Sequence, residues 1–258
     1  MMKKINFLLV LLCCQFGFSQ NNLPTTTEEE VVSEKVTEIN ENKNLVKLNL
    51  LALTMGNFSF QYERSIGSKF TIGGSINLMP NRKLPFSKKI ESLVDDKTTA
   101  AQLQGIRLSS FSITPEARFY LGKQVFKGFY VAPFFRYGSY SLKFPLNYTY
   151  ENQDQSINLD GKVNTISGGL AIGAQWKIAK NVYLDWLIMG PHFGSAKGNL
   201  TGNKALNADE QAAIAESLND LDIPVVDYEY EVNANGAKAK IKGPWAGVRA
   251  SIGIGYRF

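Results

Sequence analysis

A chain of 258 residues carrying 28 Lys and Arg, 23 Asp and Glu and a single His has room for one large domain or two small ones. An aromatic content of 12% excludes a disordered chain, and no run approaches the roughly 20 apolar residues that a membrane-spanning helix needs. The basic surplus is small and holds no cluster longer than Lys88-Lys89, so no nucleic-acid partner is expected.

The one strongly apolar run, Ile5 to Cys14, follows Lys3 and Lys4 and leads into Gly17-Phe18-Ser19-Gln20, the three parts of a secretory signal. The expected signal peptide is residues 1–19. Its removal takes two lysines and both cysteines, Cys13 and Cys14, leaving no thiol for a disulfide or a thiolate metal site. Leu12, not a small residue, precedes Cys13, which argues against lipid attachment there. Residues 20–43 hold Glu28-Glu29-Glu30, Glu34, Glu38 and Glu41 with few large apolar groups, and are expected to form a flexible acidic leader.

From Leu45 onward apolar residues fall at alternate positions, broken by Gly, Asn and Pro, and the pattern runs to Phe258. The first strand is expected over Leu45 to Thr54, the second around Phe58, Phe60 and Tyr62, the third around Phe70, Ile72, Ile76 and Leu78. A fourth sets Phe111, Ile113, Ala117 and Phe119 against Ser112, Thr114, Glu116 and Arg118. A fifth sets Phe129, Val131, Phe135 and Tyr137 against Tyr130, Ala132, Phe134 and Arg136. A sixth from Ile166 to Ile178, a seventh with Leu184, Trp186 and Ile188, and a last from Val248 to Phe258 complete eight. Connections near residues 66, 124 and 180 are short, and those at about 80–108, 145–160 and 194–245 are long, the layout of an up-and-down barrel. Pro115 and Pro133 in mid-strand predict a bulge or a locally broken ladder, because neither can donate a backbone N–H.

A soluble lipocalin-like ligand carrier would show the same alternation with its apolar face inward. The polar face decides between them, being Ser, Thr, Gly, Asn and Gln with isolated charges, which suits a narrow interior better than a solvated exterior. The other face puts Tyr62, Phe70, Phe119, Phe129, Trp176, Tyr256 and Phe258 near strand ends, where aromatic girdles meet a lipid interface. The predicted fold is all-β, an eight-stranded antiparallel up-and-down transmembrane β-barrel over residues 44–258, with a short helix in the last extracellular loop. Eight strands leave an interior that side chains fill, so a diffusive pore is not expected.

Phe258, preceded at alternate positions by Tyr256, Ile254 and Ile252, looks like the C-terminal signal that directs outer-membrane barrels to their assembly. With the secretory signal and the segment Ile113-Thr114-Pro115-Glu116-Ala117-Arg118-Phe119-Tyr120-Leu121-Gly122, it resembles the small OmpA/OmpX-like outer-membrane barrels over roughly residues 45–258. The resemblance implies the outer membrane of a Gram-negative bacterium and a periplasmic N-terminus. It also implies contact with outer-membrane lipid, lipopolysaccharide and the barrel-assembly machinery. It implies little about activity, since relatives of that shape include adhesins, lipid-modifying enzymes and proteins with no assigned role. No peptidoglycan-binding domain is expected after the last strand.

Inside such a barrel Lys47, Glu63, Glu116, Arg118, Arg136, Asp185, Arg249 and Arg257 should form paired networks, because an unpaired ion there is costly. A rival reading is catalytic. His192, with Ser195 three residues on, would supply the general base and nucleophile of a lipid A-modifying acyl hydrolase or transferase. No acid is placed to orient His192, and one His without Cys holds no metal. No cofactor is expected, and the favoured function is a structural or surface-interaction role without enzymatic activity.

In the last long loop Asn207 and Glu210 have capping-box spacing, and Ile214, Leu218 and Leu221 form an apolar stripe. They predict a helix over Ala208 to Leu221, over the barrel mouth. If Asn233-Ala234-Asn235-Gly236 form a turn, Asp227, Glu229 and Glu231 fall opposite Lys242, Lys240 and Lys238. The predicted hairpin over 226–242 rises above the membrane as a candidate platform for a protein partner. Lys83, Lys88 and Lys89 before Glu91, Asp95 and Asp96 read as a solvated loop whose basic residues could also meet lipopolysaccharide phosphates.

Overall fold

The computed structural model describes residues 42–83, 105–151, 153–219 and 227–258. The expected signal peptide, all but the end of the acidic leader, most of the segment 80–108 and Leu221 lie outside the described residues. The elements are β1 (Asn44–Asn49), α1 (Leu50–Thr54), β2 (Phe58–Ser65), β3 (Phe70–Lys83), β4 (Arg107–Tyr120) and β5 (Gly128–Tyr150). They continue with β6 (Gln153–Lys177), β7 (Val182–Asn203), α2 (Ala208–Asn219), β8 (Asp227–Asn233) and β9 (Gly236–Arg257). Neighbours pair antiparallel from β1 to β7 and on to β9, and β9 returns to β1 to close an eight-stranded ring. β8 adds a ninth strand against the outer part of β9.

The sidedness settles membrane against soluble barrel. Ser59, Glu63, Thr71, Ser75, Ser112, Thr114, Glu116, Arg118, Gln175 and Asp185 are buried inside, while Phe60, Phe70, Ile72, Phe135, Leu170, Phe193 and Tyr256 are exposed outside. A lipocalin-like carrier requires the reverse. The apolar belt runs on β6 from Trp176 to Ile166, which at the usual rise and tilt of a barrel strand is about 25 Å tall, the height of a hydrocarbon layer. Tyr62, Phe70, Phe119, Phe129, Trp176, Tyr256 and Phe258 all face outward at the short-turn end.

Both prolines interrupt one seam. β4 and β5 pair at Ile113↔Tyr137, Glu116↔Phe134 and Phe119↔Val131, with no pairing at Pro115 or Pro133 and no change of register. The other edges of these strands stay paired, at Gly74↔Pro115 and Pro133↔Leu170. This is the broken ladder expected of two missing donors, without a bulge.

Four boundaries differ from the sequence reading. β1 stops at Asn49, whose Oδ1 accepts from the Ala52 N–H at 3.1 Å and caps α1. Leu50-Leu51-Ala52-Leu53 are helix formers with no polar alternation to hold a strand. The segment 145–160 is not a loop, because β5 and β6 pair without a break up to Tyr150↔Gln153. β7 reaches Asn203 and β9 begins at Gly236, so the loop expected over 194–245 is largely strand. A one-residue bulge in β7 between Leu187 and Gly190 also shifts its face, turning Met189 outward.

Those extended strands change sides. Below a row joining Tyr137, Ile166, Ser195 and Pro244, apolar residues point out. Above it the outward positions are Ser139, Ser141 and Lys143 on β5, Asn164, Lys162 and Asp160 on β6, Lys197 and Asn199 on β7, and Lys242 and Lys240 on β9. The inward positions there turn apolar: Leu146, Tyr148, Ile157 and Leu159 form a second core with Leu206, Ala237 and the α2 residues Ile214 and Leu218.

Candidate functional site

The lower lumen is filled by ions and rings. Lys47 Nζ lies 2.5 Å from both Glu63 Oε2 and Asp185 Oδ2. Arg118 reaches Glu116 at 2.7 Å, Asp185 at 2.8 Å and Glu63 at 3.4 Å, and Arg249 reaches Glu116 at 3.1 Å. β1, β2, β4, β7 and β9 thus each contribute to one connected cluster. Neutral donors complete it: the Thr71 and Tyr120 hydroxyls donate to Glu63, the Tyr130 hydroxyl to Asp185, and the Gln61 amide to Glu116. Each buried carboxylate therefore meets at least one cation and one neutral donor, the condition under which buried ions are tolerated.

Two of the eight expected charges lie outside this cluster. Arg257, at the short-turn end, donates to Asn42 O and Tyr183 Oη and lies over the Phe126 ring. Arg136 stands opposite Thr114, one inward row beyond Glu116, and its hydrogen bond goes to Thr114 Oγ1 at 3.2 Å. Among the described residues no carboxylate closes an ion pair with it.

The sequence reading missed the rings. Tyr120, Tyr130, Phe134 and Tyr183 point inward and join Leu45, Ala132, Ala171 and Leu187. Phe126, in the β4–β5 turn at φ 63°, folds into the base against Tyr120 and Tyr183. Parity already placed Tyr130, Phe134 and Tyr183 inside. Nothing in the alternation marked Phe126, which enters from a turn.

His192 and Ser195 do not form a dyad. Residues three apart on a strand face opposite sides. His192 points inward beside Phe134, with ring centroids 6.0 Å apart, and pairs across to Gly169 and Gly247, whereas Ser195 is exposed on the outside. Among the described residues no group of His, Cys, Asp and Glu could hold a metal ion.

A cavity of about 240 Å³ lies in the lumen against the ion cluster, lined by Lys47 and Asp185 of that cluster, by Arg136, Arg249 and Ser251 and by Leu51, Ala52 and Val248. Above it α2 starts in a reciprocal cap: the Glu210 N–H donates to Asn207 Oδ1 at 2.8 Å and the Asn207 N–H to Glu210 Oε2 at 3.2 Å. The Asn207 N–H, with the Tyr148 hydroxyl donating to Glu210 Oε1, holds the Glu210 carboxyl below its ordinary value. The β8–β9 register pairs Asp227↔Lys242, Glu229↔Lys240 and Glu231↔Lys238 about a two-residue turn, as expected, though none of these pairs closes to ion-pair distance.

Fold and interior define a transmembrane β-barrel, closed by β1 and β9 and filled by its own side chains toward the short-turn end, and topped by a folded outer layer. The chain belongs to the family described as a protein of unknown function (DUF3575), whose profile matches residues 30–190. Among solved structures it is similar to CarO of Acinetobacter baumannii, at 13% identity over 84% of this chain and 98% of that one, with a TM-score of 0.39. No curated protein matches the sequence.

Proposed function

We propose that this is an outer-membrane surface protein with a structural or surface-interaction role, a plugged barrel that anchors its outer layer in lipid and neither conducts solutes nor catalyses. The observation that carries this reading is the reversal of sidedness at the Tyr137–Ile166–Ser195–Pro244 row. An exterior that is apolar for the height of a bilayer and polar above it suits a chain that leaves lipid for water at that level. The likeness to OmpA/OmpX-like barrels, a periplasmic N-terminus and delivery by the barrel-assembly machinery through Ile252, Ile254, Tyr256 and Phe258 belong to the same proposal.

Lipopolysaccharide is the proposed lipid partner. Asn164↔Lys197↔Lys242 and Lys162↔Asn199↔Lys240 form the first two outward rows above the belt, so four lysines on three adjacent strands face the headgroup level without an ion pair among the described residues. Expressed in a Gram-negative host, the protein should stay with the membrane pellet without detergent and migrate differently before and after boiling. External protease should cut within 204–235 on intact cells and leave a membrane-held fragment. Release into the soluble fraction would overturn the location, and complete protection of 204–235 would overturn the outward platform.

A further inference from the structure

We propose that the outer half of the barrel wall holds a binding site for a single-chain anionic amphiphile, its head on Arg136 and Arg249 in the lumen and its acyl tail leaving sideways between α1 and β9. The proposal rests on the membrane reading above and adds a ligand to it.

The strand registers show an edge of β9 that no strand covers and against which only α1 packs among the described residues. β1 accompanies β9 only as far as Asn49↔Gly253 and then becomes α1, and β8 takes up the same edge of β9 only from Lys242. Between them, Gly243 to Arg249, Ser251 and Ile252 have strand partners on β7 alone among the described residues, and Ala250, beside the β7 bulge, has none. Across the opening, Phe58 and Ser59 of β2 have no partner on β1, and β3 beyond Met79 pairs only with β4. A short helix therefore stands where an eighth stave should rise.

The opening lies within the apolar belt, below the point where β9 turns polar outside at Pro244. Lipid cannot satisfy the N–H and C=O groups of an open sheet edge, which is tolerated at that depth only where it borders a polar cavity. Such a cavity is present, and its lining wraps round the edge of β9. Arg249 and Ser251 belong to the lumen face, Val248 and Ala250 to the lipid face, and Leu51 and Ala52 to α1. Most of the rest of the lining is polar, with Lys47, Asp185, Ser59, Gln61, Ser75 and Asn77, so the guanidinium groups offer a place for a charged head and the Val, Ala and Leu side chains at the edge of β9 one for a hydrocarbon tail.

The charge of the head follows from the lumen ions. Apart from Arg257 at the short-turn end, the described lumen residues Lys47, Arg118, Arg136 and Arg249 face Glu63, Glu116 and Asp185, an excess of one cation around the cluster and cavity. The excess sits at the cavity, where Arg136 has only the Thr114 hydroxyl and Arg249 keeps a buried Nη1 without a partner among the described residues. One carboxylate or phosphate monoanion placed there would balance the lumen and occupy both forks.

The test uses the full-length protein in non-ionic detergent and a photoactivatable diazirine palmitate, with the labelled peptides mapped by mass spectrometry. Label should concentrate on 51–55 and 243–252, and should be competed by palmitate and by lysophosphatidate but not by methyl palmitate. The better competitor of the first two names the headgroup. Arg136→Gln should reduce the competable label at least tenfold, and Ala250→Trp should remove it by filling the opening. Val248→Trp replaces Ala250→Trp should that variant lose its heat-modifiable migration. Label spread evenly over the belt, label unchanged in R136Q, or competition by methyl palmitate equal to that of palmitate would overturn the site. Because each protein is first shown to be a folded barrel, such a failure leaves the membrane reading standing.

Discussion

Four strands, β5, β6, β7 and β9, run on from the part of the barrel below the Tyr137–Ile166–Ser195–Pro244 row into the part above it, and the two parts follow opposite rules. Below, Glu116, Arg118 and Asp185 are inside and Phe135, Leu170 and Ile172 outside; above, Leu146, Ile157 and Leu159 are inside and Lys143, Lys162 and Lys197 outside. β5 and β6 keep one register through the change, so no slip or bulge in that pair produces it. What changes is the solvent. Where lipid surrounds the wall, polar groups have only the lumen to go to. Where water surrounds it, apolar groups gain by turning inward, and there they meet Ile214 and Leu218 of α2. Alternation thus fixes two faces, and the medium assigns them.

The largest expected effect breaks the lower half. Arg118→Leu leaves Glu63, Glu116 and Asp185 short of a shared cation, and should cost about 3–5 kcal/mol. The loss would be read as a drop in the temperature at which the compact, fast-migrating form disappears on a detergent gel. An unchanged temperature would mean that rings, not ions, hold the lumen. Ile214→Ala tests the upper half. Ile214 is fully buried, and its truncation should cost about 3 kcal/mol. Protease should then reach the outer layer while the barrel's migration temperature holds, and a shift in both would show that the two halves unfold as one unit.

The smallest effect sharpens the comparison through pH. Glu210 is held below its ordinary value of 4.5 by the Asn207 N–H and the Tyr148 hydroxyl. Its contribution is therefore complete above that value and is lost as pH falls through the lower value of the folded state. Digestion of α2 by an acid protease should rise as pH falls below 4.5, and Glu210→Gln should flatten that rise. Equal pH dependence in both proteins would place the acid-sensitive group elsewhere.

Much of this was legible in the sequence. Parity located eight strands, gave the inward charges, put the broken ladder at Pro115 and Pro133, and set the register of the charged hairpin. The capping box at Asn207 and Glu210 is local chemistry and forms as read. The elements that alternation does not show have separate causes. Over 145–160 the apolar phase passes to Phe144, Leu146 and Tyr148, and in sequence such a reversal looks like a strand end. The β7 bulge and the α1 cap depend on single residues that alternation does not weigh. Nearness in sequence suggests the His192 and Ser195 pair, and a spacing of three on a strand separates them. Which inward charge meets which depends on the relative heights of strands, and that left Arg136 one row beyond the carboxylates.

The inner face of β9 in the belt has one more consequence. It offers Gly247, Arg249, Ser251, Gly253, Gly255 and Arg257, whereas the bulky rings come from β4, β5, β7 and the Phe126 turn. A side chain at Gly255 would begin 2.7 Å from Lys47 Cγ, and one at Gly247 would begin 2.8 Å from His192 Nε2. The strand that comes last in chain order is thus nearly flat toward the lumen. Pairing of β9 can follow the filling of the interior, with two guanidiniums left to seat, Arg249 on Glu116 and Arg257 on Tyr183.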